Sequence, residues 1–416
     1  MRRLLRLAVA AAALWLAPGA VASGWCGSGE TSVDRADVVT GAQVHAIVVD
    51  PADSADTFVA DANRLADDVA SMLSWWQSQD PTHVPRFDLA DFGGRRCLDI
   101  SYVRLPQPAA QIAGGDEAFT VLRDDLIAQG FAHPFKDYLV YYDGPVPAGE
   151  TDLCGVGAGD YDQGPGYAAV LLQACTGVPT DTVATHELLH AFGAVAPGDP
   201  GQCPPPNAGH VCDDDHDVLY PYASGDPLSS LVLDSGHDDY YGMPAADTWP
   251  DIQDSLWMHA VGAPQETLAV AFSGSGSVVS DLPGASCRST CSSTWDQGST
   301  VTLAAVAGTR TRFVRWSGAC TGSADCTVTL DAPTSVTAVF GPTRIALRLT
   351  TRGRGVVECT PRCARSFPAG DPLTLRAVPA HGWRFAGWSG ACSGRAVVCR
   401  PATDFAVSAR ASFVRR

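Results

Sequence analysis

From Cys287 onward the chain repeats itself at an interval of 72 residues, and no other feature limits its fold so tightly. Cys287, Cys291, Arg312, Phe313, Trp316 and Cys320 return as Cys359, Cys363, Arg384, Phe385, Trp388 and Cys392. Around the tryptophans the text is nearly identical, Arg312-Phe313-Val314-Arg315-Trp316-Ser317-Gly318-Ala319-Cys320 against Arg384-Phe385-Ala386-Gly387-Trp388-Ser389-Gly390-Ala391-Cys392. Self-similarity at a fixed period means tandem copies of one unit. The glycine-rich turns and short apolar segments make that unit a small β module, with copies over 265–341 and 342–416. A module of ~70 residues has little core, so two disulfides and one buried tryptophan per copy are what its stability requires.

The residues before 265 have a different character. Positions 23–264 hold 37 acids and 8 bases, whereas 265–416 hold 8 acids and 17 bases. That asymmetry predicts two parts with separate roles and argues against nucleic acid as a substrate of the first. Its acidic surface is either simply solvated or able to bind calcium.

At the start, Arg2, Arg3 and Arg6 precede an apolar run from Leu7 to Leu16 and the small residues Ala20-Val21-Ala22. This is the pattern of a secretory signal over residues 1–22, cleaved near Ala22. No later stretch approaches the ~20 apolar residues of a membrane helix. The expectation is a secreted chain without stable membrane insertion. Fourteen cysteines suit an oxidising compartment. Proximity pairs Cys154 with Cys175, Cys203 with Cys212, Cys287 with Cys291, Cys320 with Cys326, Cys359 with Cys363 and Cys392 with Cys399. Cys26 and Cys97 are left for each other, and Cys26 is read as a disulfide partner rather than as a thiolate capping a metal.

Within 23–264, strand-like and helix-like patterns alternate, and the fold class expected is α+β. Val44–Val49 reads as a buried strand. Phe58, Ala62, Leu65, Ala66, Val69, Met72, Leu73 and Trp76 recur at steps of three and four, an amphipathic helix with Ser54 and Asp56 as capping candidates. Strands are expected over Leu98–Leu105, Tyr138–Tyr142 and Tyr167–Leu172, with a second helix over Glu117–Gln129 stopped by Gly130.

Directly after the last of these strands stands Thr185-His186-Glu187-Leu188-Leu189-His190-Ala191-Phe192-Gly193. Residues four apart share a helix face, so His186 and His190 can aim two imidazoles at one metal. Neutral imidazoles suit Zn²⁺. Glu187, one position on, sits beside the metal, where it can take a proton from a water that the metal polarises. No Gly-x-Ser-x-Gly elbow competes with this constellation.

The motif, its strand-then-helix setting and the stop at Gly193 resemble the metzincin-type zinc peptidases, in which His-Glu-x-x-His-x-x-Gly-x-x-His supplies three zinc ligands. The third position is Ala196 here. The text Gly209-His210-Val211-Cys212-Asp213-Asp214-Asp215-His216-Asp217-Val218-Leu219-Tyr220-Pro221 is similar to that of secreted bacterial metzincin-like proteins in which an insertion delays the third ligand. The resemblance places Leu219 where the methionine of the turn beneath the zinc usually lies, an exchange that keeps an apolar group of similar volume. For the third ligand His210 ranks first, because a Cys203–Cys212 disulfide would pin its loop; His216 and Asp199 follow. Tyr220 and Tyr222 are candidates either for stabilising an oxyanion or for packing.

Asp234, Asp238 and Asp239 form a further acidic cluster, read either as a Ca²⁺ site or as a hydrogen-bonded turn. The β modules resemble secreted bacterial repeat domains with a Trp-Ser-Gly-Ala-Cys signature, related to internalin-type B repeats. That likeness implies surface or spacer duty, with cell-surface or polysaccharide contact. The leading expectation is a secreted zinc endopeptidase acting on protein or peptide. The alternative is a catalytically degenerate zinc-binding adhesion protein that displays two β modules.

Overall fold

The structure is a computed structural model that describes residues 24–416 apart from 28, 113–114, 146–152, 162, 175, 197, 200, 223–224 and 245–248. The export signal read over residues 1–22 lies outside the described residues. The chain divides into two compact units. One is the described residues up to Val38 with Ala42–Ala263, and the other is Val39–Gly41 with Pro264–Arg416.

The first unit is organised by a five-stranded sheet. Its strands are β1 (Gln43–Asp50), β2 (Ile100–Arg104), β3 (Lys136–Tyr142), β4 (Gly155–Ala158) and β5 (Tyr167–Leu171). Their order across the sheet is β2-β1-β3-β5-β4. The first four in that order pair in parallel, and β4 closes one edge antiparallel to β5. Because β1 lies in the interior, both of its faces are apolar, which is why it reads as a continuous run rather than an alternation. Val44, Ala46 and Val48 enter one core, and Ile47 and Val49 enter the other.

Helices cover both faces. α1 (Phe58–Gln79) buries Phe58, Ala62, Leu65, Ala66, Val69, Met72 and Trp76, the stripe that the periodicity predicts. Asp56, not Ser54, receives an orphan amide at its start, from Phe58 at 3.1 Å. α2 (Gly115–Ala128) packs Leu122 and Leu126 on the opposite face and ends at the expected Gly130, with the Phe131 amide bonded back to the Leu126 carbonyl. α3 (Thr180–Ala191) shares the α1 side, where Leu188, Leu189 and Phe192 are fully buried and Trp76 meets the Phe192 ring edge-on.

Six of the expected cysteine pairs form: 26–97, 203–212, 287–291, 320–326, 359–363 and 392–399. Cys154 is also disulfide-bonded, while Cys175 lies outside the described residues. Cys26 is thereby unavailable as a metal-capping thiolate. In the second unit the two copies share one topology. Each has a four-stranded sheet whose first and last strands pair in parallel, Gln265–Ser273 with Thr334–Pro342 and Arg344–Arg352 with Val407–Arg415. Each stacks a three-stranded sheet against it over a core that contains Trp316 or Trp388, and the first copy buries Trp295 as well as the one tryptophan expected. No helix among the described residues is long and apolar enough to cross a membrane.

The chain has a single lysine, Lys136, and it is buried at the start of β3. Its Nζ lies 2.6 Å from Asp34, 2.6 Å from Asp37 and 2.7 Å from Asp88. Asp88 also meets His45 at 2.8 Å. The carboxylates hold the lysine well above its usual range against the opposing effect of burial. Removing one partner of a buried ion network strands the others. Lys136→Met should therefore lower the unfolding free energy by about 3–5 kcal/mol. Urea denaturation checks this, and a loss below about 1 kcal/mol would mean that solvent already screens the network.

Candidate metal centre

The geometry of the site begins with the packing of α3 on the sheet edge. β4 runs so close to the helix that a Cβ on Gly157 would lie 2.2 Å from the Glu187 carbonyl oxygen and 2.8 Å from the His190 Cβ. A strand with side chains at that position would push the helix away. At the helix end, Gly193 has φ of +83°, and a Cβ there would sit 2.3 Å from the Tyr161 amide. Both conditions select glycine.

His186 and His190 project from α3 with their Nε2 atoms 3.2 Å apart. His210 arrives from a distant loop, its ring centroid 5.1 Å from His186 and 4.8 Å from His190. One ligand nitrogen from each of the three lies within 4.8 Å of the others. Two ties hold that loop. Cys203 is bonded to Cys212, and the Cys203 amide donates to the His210 carbonyl at 2.8 Å. The structure therefore brings His210, ranked first on sequence grounds, beside the helix pair. His216 is exposed and faces Asp215 at 2.9 Å and Asp214 at 3.5 Å. Asp199 is buried but lies outside the histidine group and outside the cleft lining.

Beneath the histidines runs the turn at 217–220. The His186 Nδ1 donates to the Val218 carbonyl at 2.7 Å, which leaves Nε2 with its lone pair toward His190. Asp217 orders the turn. Its Oδ1 accepts from the Leu219 amide at 2.7 Å and the Tyr240 hydroxyl at 2.9 Å, and its Oδ2 accepts from the Ser235 amide at 3.0 Å. Leu219 is fully buried, and its carbonyl accepts from the Val211 amide, next to His210. Sequence reasoning placed Asp217 and Val218 within the text of the turn but gave them no contact of their own, and it passed over Gly157. The only local signal for Asp217 is its place two residues before the apolar Leu219.

Burial lowers the affinity of all three imidazoles for protons. His186 is pushed down to about 4 by burial and by its proximity to His210. His190 falls well below its usual value for the same reason, and His210 is also lowered by burial. Neutral rings with converging lone pairs are the donor set that Zn²⁺ prefers. Zn–N bonds of about 2.0–2.1 Å in a tetrahedron need nitrogens roughly 3.3 Å apart, close to the His186–His190 spacing. Glu187 is buried with one backbone donor, the Gly157 amide, and burial raises its carboxyl to about 8.

The three histidines and Glu187 line a cleft of about 950 Å³ whose walls also include Asp215, Asp217, Asp226, Tyr220 and Tyr222. Tyr222 is largely exposed, with its hydroxyl accepting from the Asn207 side chain at 2.9 Å. The acidic cluster further on differs from the expectation at one residue. Asp234 is not a free ligand, because its carboxylate accepts from the amides of Asp238, Asp239, Tyr240 and Tyr241. It is the hydrogen-bonded turn of the two readings. Asp213 instead joins Asp238 and Asp239.

Comparison with known proteins identifies the second unit. Residues 272–344 and 345–415 each match the family of divergent InlB B-repeat domains, so the chain ends in two such repeats. No curated protein matches the chain significantly. Among solved structures, catalytically inactive OgpA from Akkermansia muciniphila, crystallised with the O-glycopeptide substrate glycodrosocin, is similar at 12% identity, covering 73% of this chain and 98% of that one with a TM-score of 0.28. A likeness that faint carries no argument about the first unit.

The Glu187 carboxyl sets a pH dependence in the metal-free protein. Its ordinary value is 4.5 and its folded value about 8. Between the two, the unfolded chain has released a proton that the folded chain keeps, so stability falls as pH rises through that window. The Glu187→Gln variant should lack this component. Thermal melts of both metal-free proteins from pH 4.5 to 8 should show wild type losing stability relative to the variant; parallel curves would contradict the burial argument.

Proposed function

We propose that the first unit is a metzincin-like zinc endopeptidase, in a secreted protein whose two B-repeats serve contact with a cell surface or polysaccharide. The observation that carries this reading is the convergence of His186, His190 and His210 beside a buried Glu187 in one cleft. The residues fit the metal on chemical grounds: three neutral imidazoles, one with its second nitrogen given to a carbonyl, inside a unit of strongly negative charge that attracts cations.

Bound by these histidines, Zn²⁺ supplies a Lewis acid that polarises a scissile carbonyl and acidifies water, with a positive charge that favours the ionised form of Glu187. Glu187 then takes the proton of the attacking water and delivers it to the leaving amine. Gly157 keeps the carboxyl in place through its amide. β4 is an edge strand of the sheet among the described residues and lines the cleft, an arrangement that suits an extended peptide laid along it. Tyr220 and Tyr222 line the same cleft and are the candidates to donate to a developing oxyanion.

The rival reading, a degenerate zinc-binding surface protein, draws on the two B-repeats. It offers no use for Glu187, since a structural zinc site requires no proton acceptor. The discriminating measurement is cleavage of quenched-fluorescent peptides by the mature chain, with zinc content measured alongside. Glu187→Gln should lower kcat/KM by about 10²–10⁴-fold while retaining metal. His210→Ala should lose both metal and activity. A zinc-loaded wild type inert across a broad peptide library would support the surface-protein reading instead.

A further inference from the structure

The acidic clusters of the first unit differ in how their charge is balanced. Asp34 and Asp88 have Lys136 between them. Asp50 and Asp61, which group with Asp143, have Arg104 at 3.7 Å and Arg64 at 3.9 Å. The third cluster, Asp213, Asp238 and Asp239, gathers its carboxylate oxygens within 4.8 Å of one another. The chain contains no Lys or Arg between Lys136 and Arg288, so neither neighbouring loop supplies a fixed cation.

Asp239 is the telling member. It is only 2% exposed, and its Oδ2 has no hydrogen-bond partner. Burial first, then the charges of Asp213, Asp234, Asp238 and Asp217, push it up to about 7. The backbone closes over it so tightly that a Cβ on Gly201 would lie 1.5 Å from its Oδ1. A buried carboxylate oxygen without a donor needs either a proton or a cation. The turn is meanwhile shaped by Asp234, whose four amide bonds hold Asp238 and Asp239 on their side of the cluster.

We propose that Asp213, Asp238 and Asp239 form a calcium site that fastens the loop carrying His210 to the turn at 234–241. The donors are all oxygens, which selects a hard cation, and they come from irregular loops that suit the adaptable coordination of calcium better than the strict octahedron of magnesium. Backbone carbonyls and water complete the shell. Asp213 follows Cys212, which is bonded to Cys203, so a cation here ties the end of the disulfide-closed segment that carries His210 to the turn at 234–241. The calcium site does not rest on the peptidase reading, and its test involves no substrate.

The experiment is a calcium titration of the metal-stripped mature chain, read by calorimetry and by thermal melting. Wild type should bind one calcium with Kd of about 0.1–1 mM, the range of extracellular modules, and melt higher as it does so, with a smaller response to magnesium. Asp213 and Asp238 are exposed, so the double variant Asp213→Asn/Asp238→Asn should fold. It should bind about tenfold more weakly or worse. Its calcium-free melting temperature should equal or exceed that of wild type, because like charges have been removed. The variant His186→Ala/His190→Ala should keep the calcium response. The proposal is overturned if wild type shows neither heat nor a melting shift at about 10 mM calcium. It is equally overturned if the carboxamide variant responds like wild type, or if the histidine variant loses the response.

Discussion

The candidate metal centre depends on one backbone acceptor, the carbonyl of Val218. By accepting the Nδ1 proton of His186 it fixes that ring's tautomer and direction, and the turn in which it sits is itself fixed from two sides. Asp217 binds the turn to the Ser235 amide and the Tyr240 hydroxyl, and Leu219 binds it to Val211 beside His210. The helix histidines, the loop histidine and the acidic turn at 234–241 are thus connected through four residues of irregular chain. A substitution that shifted this turn would act on the ring of His186 and the loop of His210 together.

Charge is the second organising constraint. With one lysine, and with no fixed cation between Lys136 and Arg288, the first unit balances its carboxylates by unlike means. Near Asp88 it uses the buried lysine. At Asp234 it uses four backbone amides, which serve a carboxylate as well as a counter-ion does. At Asp217 it uses amides and the Tyr240 hydroxyl. At Asp239 one buried carboxylate oxygen is left without a donor and with no lysine or arginine in the neighbouring loops. The same excess of negative charge lies around a cleft whose histidines are neutral, so the potential there favours metal cations without repelling them through protonated ligands.

How much of this could be read from sequence follows from how local each cause is. The interior strand β1, the stripe of α1 and the stop of α2 at Gly130 were legible because period, capping and glycine act within a few residues. The disulfides of short separation and the 72-residue repeat were legible for the same reason. β4 was not, since Gly155-Val156-Gly157-Ala158 has little strand propensity and is shaped by the close approach of α3 rather than by its own residues. Whether Asp234 was a calcium ligand or the core of a turn stayed open, because three acids in one stretch look alike until the amides that consume one of them are placed in space. His210, His216 and Asp199 could be ranked but not separated, since nothing periodic connects residue 190 to residue 210. The connection runs through space, from His186 to the Val218 carbonyl and from the Val211 amide to the Leu219 carbonyl.

Glu187 finally ties folding to the proposed chemistry. In the metal-free protein it is a liability, a buried carboxyl with a single backbone donor beside three rings that offer no positive charge. The neutral rings and the raised carboxyl have one cause, burial, and one remedy, a cation held where the ring nitrogens converge. A site built only to brace the fold would be better served by an apolar residue at this position, because a buried polar group with few partners costs stability whether it is charged or protonated. The cost of Glu187 to the empty protein and its value as a proton acceptor in the proposed reaction therefore arise from the same placement, behind β4 and one residue from His186.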